Sequence, residues 1–462
     1  MITRLRFRNF KAWQDSGDIR LAPLTVLFGT NSAGKTSIPQ LLLLMKQTAE
    51  SPDRKRALQL GDSRTRVDLG TYHDAMHNND TSKPLEVEIQ WNLESPIAIE
   101  DPISHAKYAG DKVAFHVTVQ SDSREQPVVE SLRYELLKDG APTLDVKLQR
   151  KKNGGSKFEI SSQTYNLVRQ TGRAWPLPDP VRFYGFPDEA TAYYQNTAFV
   201  SDLALQMEAM LKSIFHVGPL RDYPKRLYLW SGELPDHVGA KGERAIEAIL
   251  AAGARTFNFI PKQRTKPLQQ IVAERLRDMG LISDFKVHAL GPHRKEYEVL
   301  VKTRPKLPEV KLTDVGFGVG QVLPVIVECF YVPPGSVVIF EQPEIHLHPK
   351  VQADLADLFV DAIRGRENGE LRKCQFIIES HSEHFLRRLQ RRIAEEQLSK
   401  QDAALYFIHS TEDAARIEEL DVDDFGNIRN WPQGFFGDEM EDLVARTEAQ
   451  TKRMQRKKAG QR

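Results

Sequence analysis

The chain has 462 residues, 40% of them hydrophobic and 27% charged, with a formal net charge of +1. That length suits one large α/β domain with insertions, or two domains, and near neutrality gives no whole-molecule field for a polyanion. The two cysteines, Cys329 and Cys374, lie in apolar runs and read as buried side chains of a protein from a reducing compartment.

The N-terminal "MITRLRFRNF" alternates apolar and charged residues, so it reads as a strand and lacks the continuous apolar core of a signal peptide. The longest apolar runs, "LLLLM" and "VLPVIVECF", are far too short to span a bilayer. The expectation is a cytoplasmic protein with no membrane partner. "PLTVLFG" from Pro23 reads as a buried strand, and "KTSIPQLLLLMKQTA" as a helix. Between Pro84 and Val168 the period changes to two. "LEVEIQW", "VAFHVTV", "LRYELL", "LDVKLQ" and "KFEISS" predict half-exposed antiparallel strands separated by turn residues. A helix is predicted near Ala198–Phe215, then a short strand in "HVGPLRDYP", helices within 240–283, and a strand pair in "FKVHAL" and "YEVLVKT". From Leu312 onward helices and buried strands alternate, which predicts a largely parallel sheet covered by helices. No fixed-period repeat and no sustained heptad run is present.

The strand and helix at the N-terminus enclose "GTNSAGKTS", Gly29 to Ser37, which is G-x-x-x-x-G-K-[ST] in its required context. Glycines let such a loop turn its N–H groups inward on phosphate oxygens. Gly29, Asn31, Ser32, Ala33, Gly34, Lys35, Thr36 and Ser37 are therefore the candidate ATP-binding residues, with Lys35 the charge for the β- and γ-phosphates and Thr36 a Mg²⁺ ligand. The apolar run Val337 to Phe340 ends in Glu341, an acid placed to hold Mg²⁺, usually through water. The next residue, where many ATPases carry a catalytic glutamate, is Gln342. An amide cannot take the attacking water's proton, although its carbonyl can orient that water, so slow turnover is expected; Glu344 is the nearest substitute base and Glu379 the next. "CQFIIESHSEH" places His381 at a second strand mouth, where a neutral imidazole can donate to the γ-phosphate or the water. His346, His348 and His384 match no familiar zinc spacing. Gly316, Gly318 and Gly320 precede an apolar helix whose free N–H groups favour an anion. Because a phosphate cradle already exists at Gly29, this second anion site suits the γ-phosphate bound by another copy.

The order of P-loop, antiparallel insertion, glycine-rich signature, "EQPEIHLHP" and "IIESHSEHFLRRLQRRIAE" resembles the ABC-type ATPase head of SMC, RecF and OLD (overcoming lysogenization defect) proteins. It is most similar to stand-alone OLD-like AAA-type ATPases carrying a C-terminal WPxGFF segment, here within Gly426 to Met440. That resemblance implies an α/β P-loop NTPase fold: an ABC-ATPase head with a mostly parallel sheet flanked by helices, an antiparallel β subdomain and a helical insertion. The implied divisions are 1–235, 236–310, 311–415 and 416–462. Lys35, Thr36, Glu341, Gln342 and His381 fall on the family's catalytic positions, and Phe317 to Gln321 on its signature, where Gly318 stands in place of the usual serine. No Q-loop glutamine is evident, although Arg66 to Asp74 sits about where it belongs. Phe10 to Trp13 are candidates to flank the adenine, and Arg221 to touch phosphate or a partner. The resemblance further implies a homodimer or higher homo-oligomer that controls a separate effector, a nuclease or toxin, in anti-phage defence. A RecF-like DNA clamp and a nucleotide-gated scaffold with negligible hydrolysis are the alternatives. No nuclease domain is expected after Ser410.

Overall fold

The structure, a computed structural model, describes residues 1–151, 157–173, 175–253, 255–259, 264–432, 446–451 and 453. Its centre is a six-stranded sheet in the spatial order Ile214–Val217, Val337–Glu341, Gln375–Glu379, Leu24–Gly29, Ala403–Ser410 and Ala415–Glu419. All neighbours are parallel except the last pair, which is antiparallel. The four central strands are continuous apolar runs because both faces are covered. Alternate residues divide between two cores. Leu24, Val26 and Phe28 enter one with Val338, Phe340, Phe376 and Ile378; Leu27 enters the other with Val337, Ile339 and Ile377.

Helix Ser37–Glu50 contributes Ile38, Leu41, Leu42 and Leu44 to the second core. Helices Phe317–Tyr331, Pro349–Ile363 and Glu383–Ala394 cover the first. Two of their starts are written in the sequence. His348 accepts the Lys350 N–H at 3.3 Å, with Pro349 in the first turn, and Ser382 accepts the Phe385 N–H at 3.1 Å. At the far end of Phe317–Tyr331, the buried Arg372 donates to the carbonyls of Cys329, at 2.8 Å, and Val332, groups the helix leaves without partners. No described helix is long and apolar enough to cross a membrane.

An eight-stranded antiparallel sheet forms the second layer. It contains Ile2–Phe10, Leu85–Glu100, Lys107–Ser121, Pro127–Lys138, Ala141–Arg150 and Phe158–Ser161, so all the predicted period-two segments are strands. Leu85–Trp91 alternates buried and partly exposed residues, as the sequence period requires. A smaller sheet joins Asp284–Ala289 to Glu296–Lys302, the predicted pair. The patterning missed Ala415–Glu419, a short polar edge strand with no alternation to betray it. The segment after it turns around Asp423, whose carboxylate accepts the N–H groups of Phe425 and Asn427, both at 2.9 Å. The WPxGFF segment lies outside the described residues beyond Pro432.

Gln375, fully buried at the start of its strand, joins the two layers. Its Oε1 accepts the Ile2 N–H at 3.0 Å, and its Nε2 donates to the carbonyls of Ile2 at 2.8 Å and Ala22 at 3.0 Å. Leucine there would take this partner from the buried N–H and carbonyl of Ile2, while the Ala22 carbonyl would keep the Thr25 hydroxyl at 3.1 Å. We expect Gln375→Leu to destabilise the fold by about 1–3 kcal/mol, read as a lowered unfolding midpoint in urea. An unchanged midpoint would show that the amide is not what fastens the layers.

Candidate active site

The loop after strand Leu24–Gly29 owes its course to close approach. Gly29 has φ +149°, and a Cβ there would sit 2.0 Å from the Ile408 carbonyl oxygen of the adjacent strand. The loop's far side is held by Trp13, whose indole N–H donates to the Gly34 carbonyl at 2.9 Å. Trp13 and Phe10 are fully buried, and Trp13 packs on Phe7 with ring centroids 5.7 Å apart. Their part is therefore to brace the loop from the core; of "NFKAW", Lys11 and Ala12 line the cleft.

That cleft has a volume of about 660 Å³ and is lined by Asn31 to Ser37, Gln40, Gln342, Glu379 and His381. Its rim is completed by Asp74, the last residue of the stretch expected in the Q-loop region, and by Met76, Asn78 and Asn79 just past it. Two larger cavities, of about 1050 and 1040 Å³, hold none of the motif residues. The cleft thus joins residues more than 300 positions apart in the chain. Parallel pairing does this: Glu379 is in register with Leu27 on one side and with Glu341 on the other. Strand ends from one edge of a parallel sheet converge on a single crevice.

Charge is concentrated here. Lys35, 3% exposed, donates to the carbonyls of Thr30 at 2.6 Å and Gly29 at 3.2 Å. Burial lowers its ammonium pKa, against the opposing pull of Glu379 and Glu344. The Thr36 hydroxyl donates to Glu379, 2.8 Å from Oε2 and 3.1 Å from Oε1. Burial raises the Glu379 pKa, and repulsion from Glu341 adds to the rise. Glu341 itself turns the other way, its Oε1 accepting the His216 Nε2–H at 2.8 Å. Glu344 is buried beneath the site; its Oε1 accepts the His381 N–H at 2.7 Å, and burial raises its pKa. Burial, then the nearby Lys35, lowers the His381 pKa, which keeps the imidazole neutral at pH 7.

Gln342 follows its strand with φ +44°, a left-handed conformation that costs a non-glycine residue of order 1–3 kcal/mol. Three contacts hold it. Its N–H donates to the Glu379 carbonyl at 2.8 Å, and Arg221 Nη2 reaches the carbonyls of Glu341 at 3.3 Å and Gln342 at 3.4 Å. Arg221 is 6% exposed, and burial lowers its pKa to about 10, with Glu344 opposing. Sequence inspection offered Arg221 as a contact to phosphate or a partner, whereas here it is buried against the carbonyls of Glu341 and Gln342; it missed His216, whose only signal was a histidine in an otherwise apolar strand end.

The structure does not bring the glycine-rich helix tip into this cleft. Gly318 is half-buried near Leu347 and Leu281, and Gly320 is buried where a Cβ would meet Pro224 Cγ at 2.8 Å, so Gly320 serves close packing. Beside that tip Phe317 contacts Tyr223 and His346, at centroid distances of 5.5 and 5.3 Å. The arginines of helix Glu383–Ala394 are matched by acids: Arg388 and Arg392 with Asp357, Arg387 with Glu383, and Arg391 with Glu395. That helix is a compensated face.

Comparison with known proteins follows this division of the site. The family described as AAA ATPase domain matches residues 1–168, which hold Lys35 and Thr36. The family described as AAA domain, putative AbiEii toxin, Type IV TA system matches 261–387, which hold Glu341, Gln342, Glu379 and His381. A family of unknown function, DUF3696, matches 398–445. No curated protein matches. Similar solved structures include an SMC head bound to the C-winged helix domain of ScpA, at 11% identity and TM-score 0.41, covering 91% of this chain and 97% of that one. The SMC head domain from Thermotoga maritima is similar at 10% identity and TM-score 0.39, covering 91% and 99%. Both halves of the cleft fall in ATPase-family matches, and the protein is an ATP-binding ATPase with a mixed α/β, P-loop fold.

Gly29→Ala tests the cradle. The backbone strain and the clash with Ile408 predict ATP binding weakened by at least about tenfold, the equivalent of 1–3 kcal/mol, in an equilibrium titration. Unchanged affinity would mean that the loop does not bind nucleotide in this form.

Proposed function

We propose that the protein is an ABC-type ATPase that binds Mg²⁺–ATP in this cleft, hydrolyses it slowly, and uses ATP-dependent assembly of two or more copies to control a separate effector. The observation that carries the reading is Gln342: an amide, held in a strained backbone by Arg221 and Glu379, lining the cleft directly after the acid-ended strand, which we read as the base's position. Lys35 would exchange its loop carbonyls for the β- and γ-phosphate oxygens. The Thr36 hydroxyl is a hard oxygen donor suited to Mg²⁺, with the two strand-end acids, Glu341 and Glu379, the candidates to join it; the ion when bound would neutralise charge developing on the phosphates. The Gln342 amide orients the attacking water without taking its proton. His381, neutral and lining the cleft, donates to the γ-phosphate or the water.

Assembly is supported by the tip of helix Phe317–Tyr331. Gly318 lies there outside its own chain's cleft, beside the exposed rings of Phe317 and Tyr223, 40% and 75% accessible. Facing another copy's cleft, these N–H groups would meet the γ-phosphate, so that ATP links subunits and hydrolysis releases them. The toxin–antitoxin wording of one matching family supports a defence setting with a nuclease or toxin as effector. The RecF-like DNA clamp is less favoured, because the arginines of Glu383–Ala394 are already paired.

Two measurements test the proposal. Steady-state hydrolysis should be slow and rise in Gln342→Glu by at least about tenfold, toward the 10²–10⁴-fold that a positioned base typically supplies. Wild-type turnover of several per second with no gain from glutamate would reject the role of Gln342. Light scattering should show a mass increase with ATP and Mg²⁺ that Lys35→Ala abolishes; a constant mass would reject ATP-linked assembly.

A further inference from the structure

Two glutamates end neighbouring strands at the mouth of the cleft, and they differ in what they touch. Glu341 closes the strand carrying the expected acidic motif. That strand is separated from the P-loop strand by Gln375–Glu379, so its end is two strand spacings away, about 9–10 Å. Its carboxylate is drawn outward by His216, on the strand still further off, and does not line the cleft. Glu379 sits one spacing from the P-loop strand, in register with Leu27. It lines the cleft, and both its oxygens face the Thr36 hydroxyl, at 2.8 and 3.1 Å.

From this geometry we infer that Glu379 is the carboxylate that shares the nucleotide-bound Mg²⁺ with Thr36, and that Glu341 acts from behind it as a positioning residue fixed by His216. The inference rests on the nucleotide reading above and names which of its acids meets the metal. Two hard oxygens, one hydroxyl and one carboxylate, already lie side by side at the start of helix Ser37–Glu50. This is the partial, one-sided ligand set that a magnesium ion completes with phosphate oxygens and water. A carboxylate also fits that place electrostatically. Glu341 and Glu344 both add negative charge around Glu379, with Lys35 the opposing cation, so a bound dication relieves a crowding the fold has built in. Nothing in the motif reading singles out Glu379 for this part, because the residue belongs to the histidine strand.

The test separates metal from nucleotide. A fluorescent ATP analogue is titrated into wild type, E379Q, E379D and E341Q, in EDTA and again with Mg²⁺; Mn²⁺ then replaces Mg²⁺ for electron paramagnetic resonance of the bound ion. In E379Q we expect nucleotide affinity in EDTA to persist, which also shows that the variant is folded. The gain in affinity from Mg²⁺ should fall on the order of 100-fold and the Mn²⁺ signal should change, whereas E341Q should lose about tenfold or less. E379D should recover part of the metal gain. A full metal response in E379Q, or a larger loss in E341Q than in E379Q, overturns the assignment while leaving the nucleotide site intact. A wild-type chain that binds no nucleotide with or without metal overturns the nucleotide reading, and this assignment with it.

Discussion

The parallel pairing of Gln375–Glu379 with Leu24–Gly29 is the constraint on which the rest of the molecule depends. It sets Glu379 beside Thr36, carries His381 to the loop mouth, and through the next strand delivers Gln342 to the same cleft. Hydrogen bonds alone would not hold such a register. Side chains alternating between two cores do, since a one-residue slip would exchange Leu27 with Val26 and Phe28 and turn both cores inside out. The amide of Gln375 extends the same pairing to the antiparallel layer by holding the backbone of Ile2 and Ala22.

Around that register the protein gathers more charge than an interior ordinarily tolerates. Glu344 and Glu379 are buried with raised pKa values, and Lys35 and Arg221 are buried with lowered ones. Each direction has burial as its first cause, and each is moderated by a neighbour of opposite sign. Such paired desolvation, in a cleft that also holds a left-handed Gln342, costs stability and is concentrated where the motif residues meet. Arg221 ties the set together. It fixes the backbone of the Gln342 turn while its charge balances Glu344, which in turn holds the N–H of His381.

Much of the fold was legible in the sequence because its signals are local. The period-two runs from Leu85 to Ser161 became strands, the apolar blocks ending at Gly29, Glu341 and Glu379 became buried parallel strands, and "EHFLRRLQRRIAEEQ" became an amphipathic helix. The edge strand Ala415–Glu419 was not legible, since a short polar strand takes its identity from the partner it pairs with. Among site residues, Lys35, Thr36, Gln342 and His381 do line one cleft. Trp13 was taken as a candidate for adenine and proved to be a brace, because an aromatic beside a loop reads the same whichever way its ring points.

The sequence by itself determined the glycine-rich loop with its Lys35 and Thr36, the strand–loop–helix context around it, and the glutamine that directly follows the acid-ended strand. These follow from residue type and spacing along a single segment. Only the tertiary structure decided which acid stands next to Thr36, that His216 holds Glu341, and that Gly320 packs against Pro224 while Gly318 stays outside its own chain's cleft. The reason is that strand order is a three-dimensional property. Two glutamates with similar apolar runs before them are hard to tell apart along the chain, and become different in kind once one strand lies between the other and the nucleotide loop.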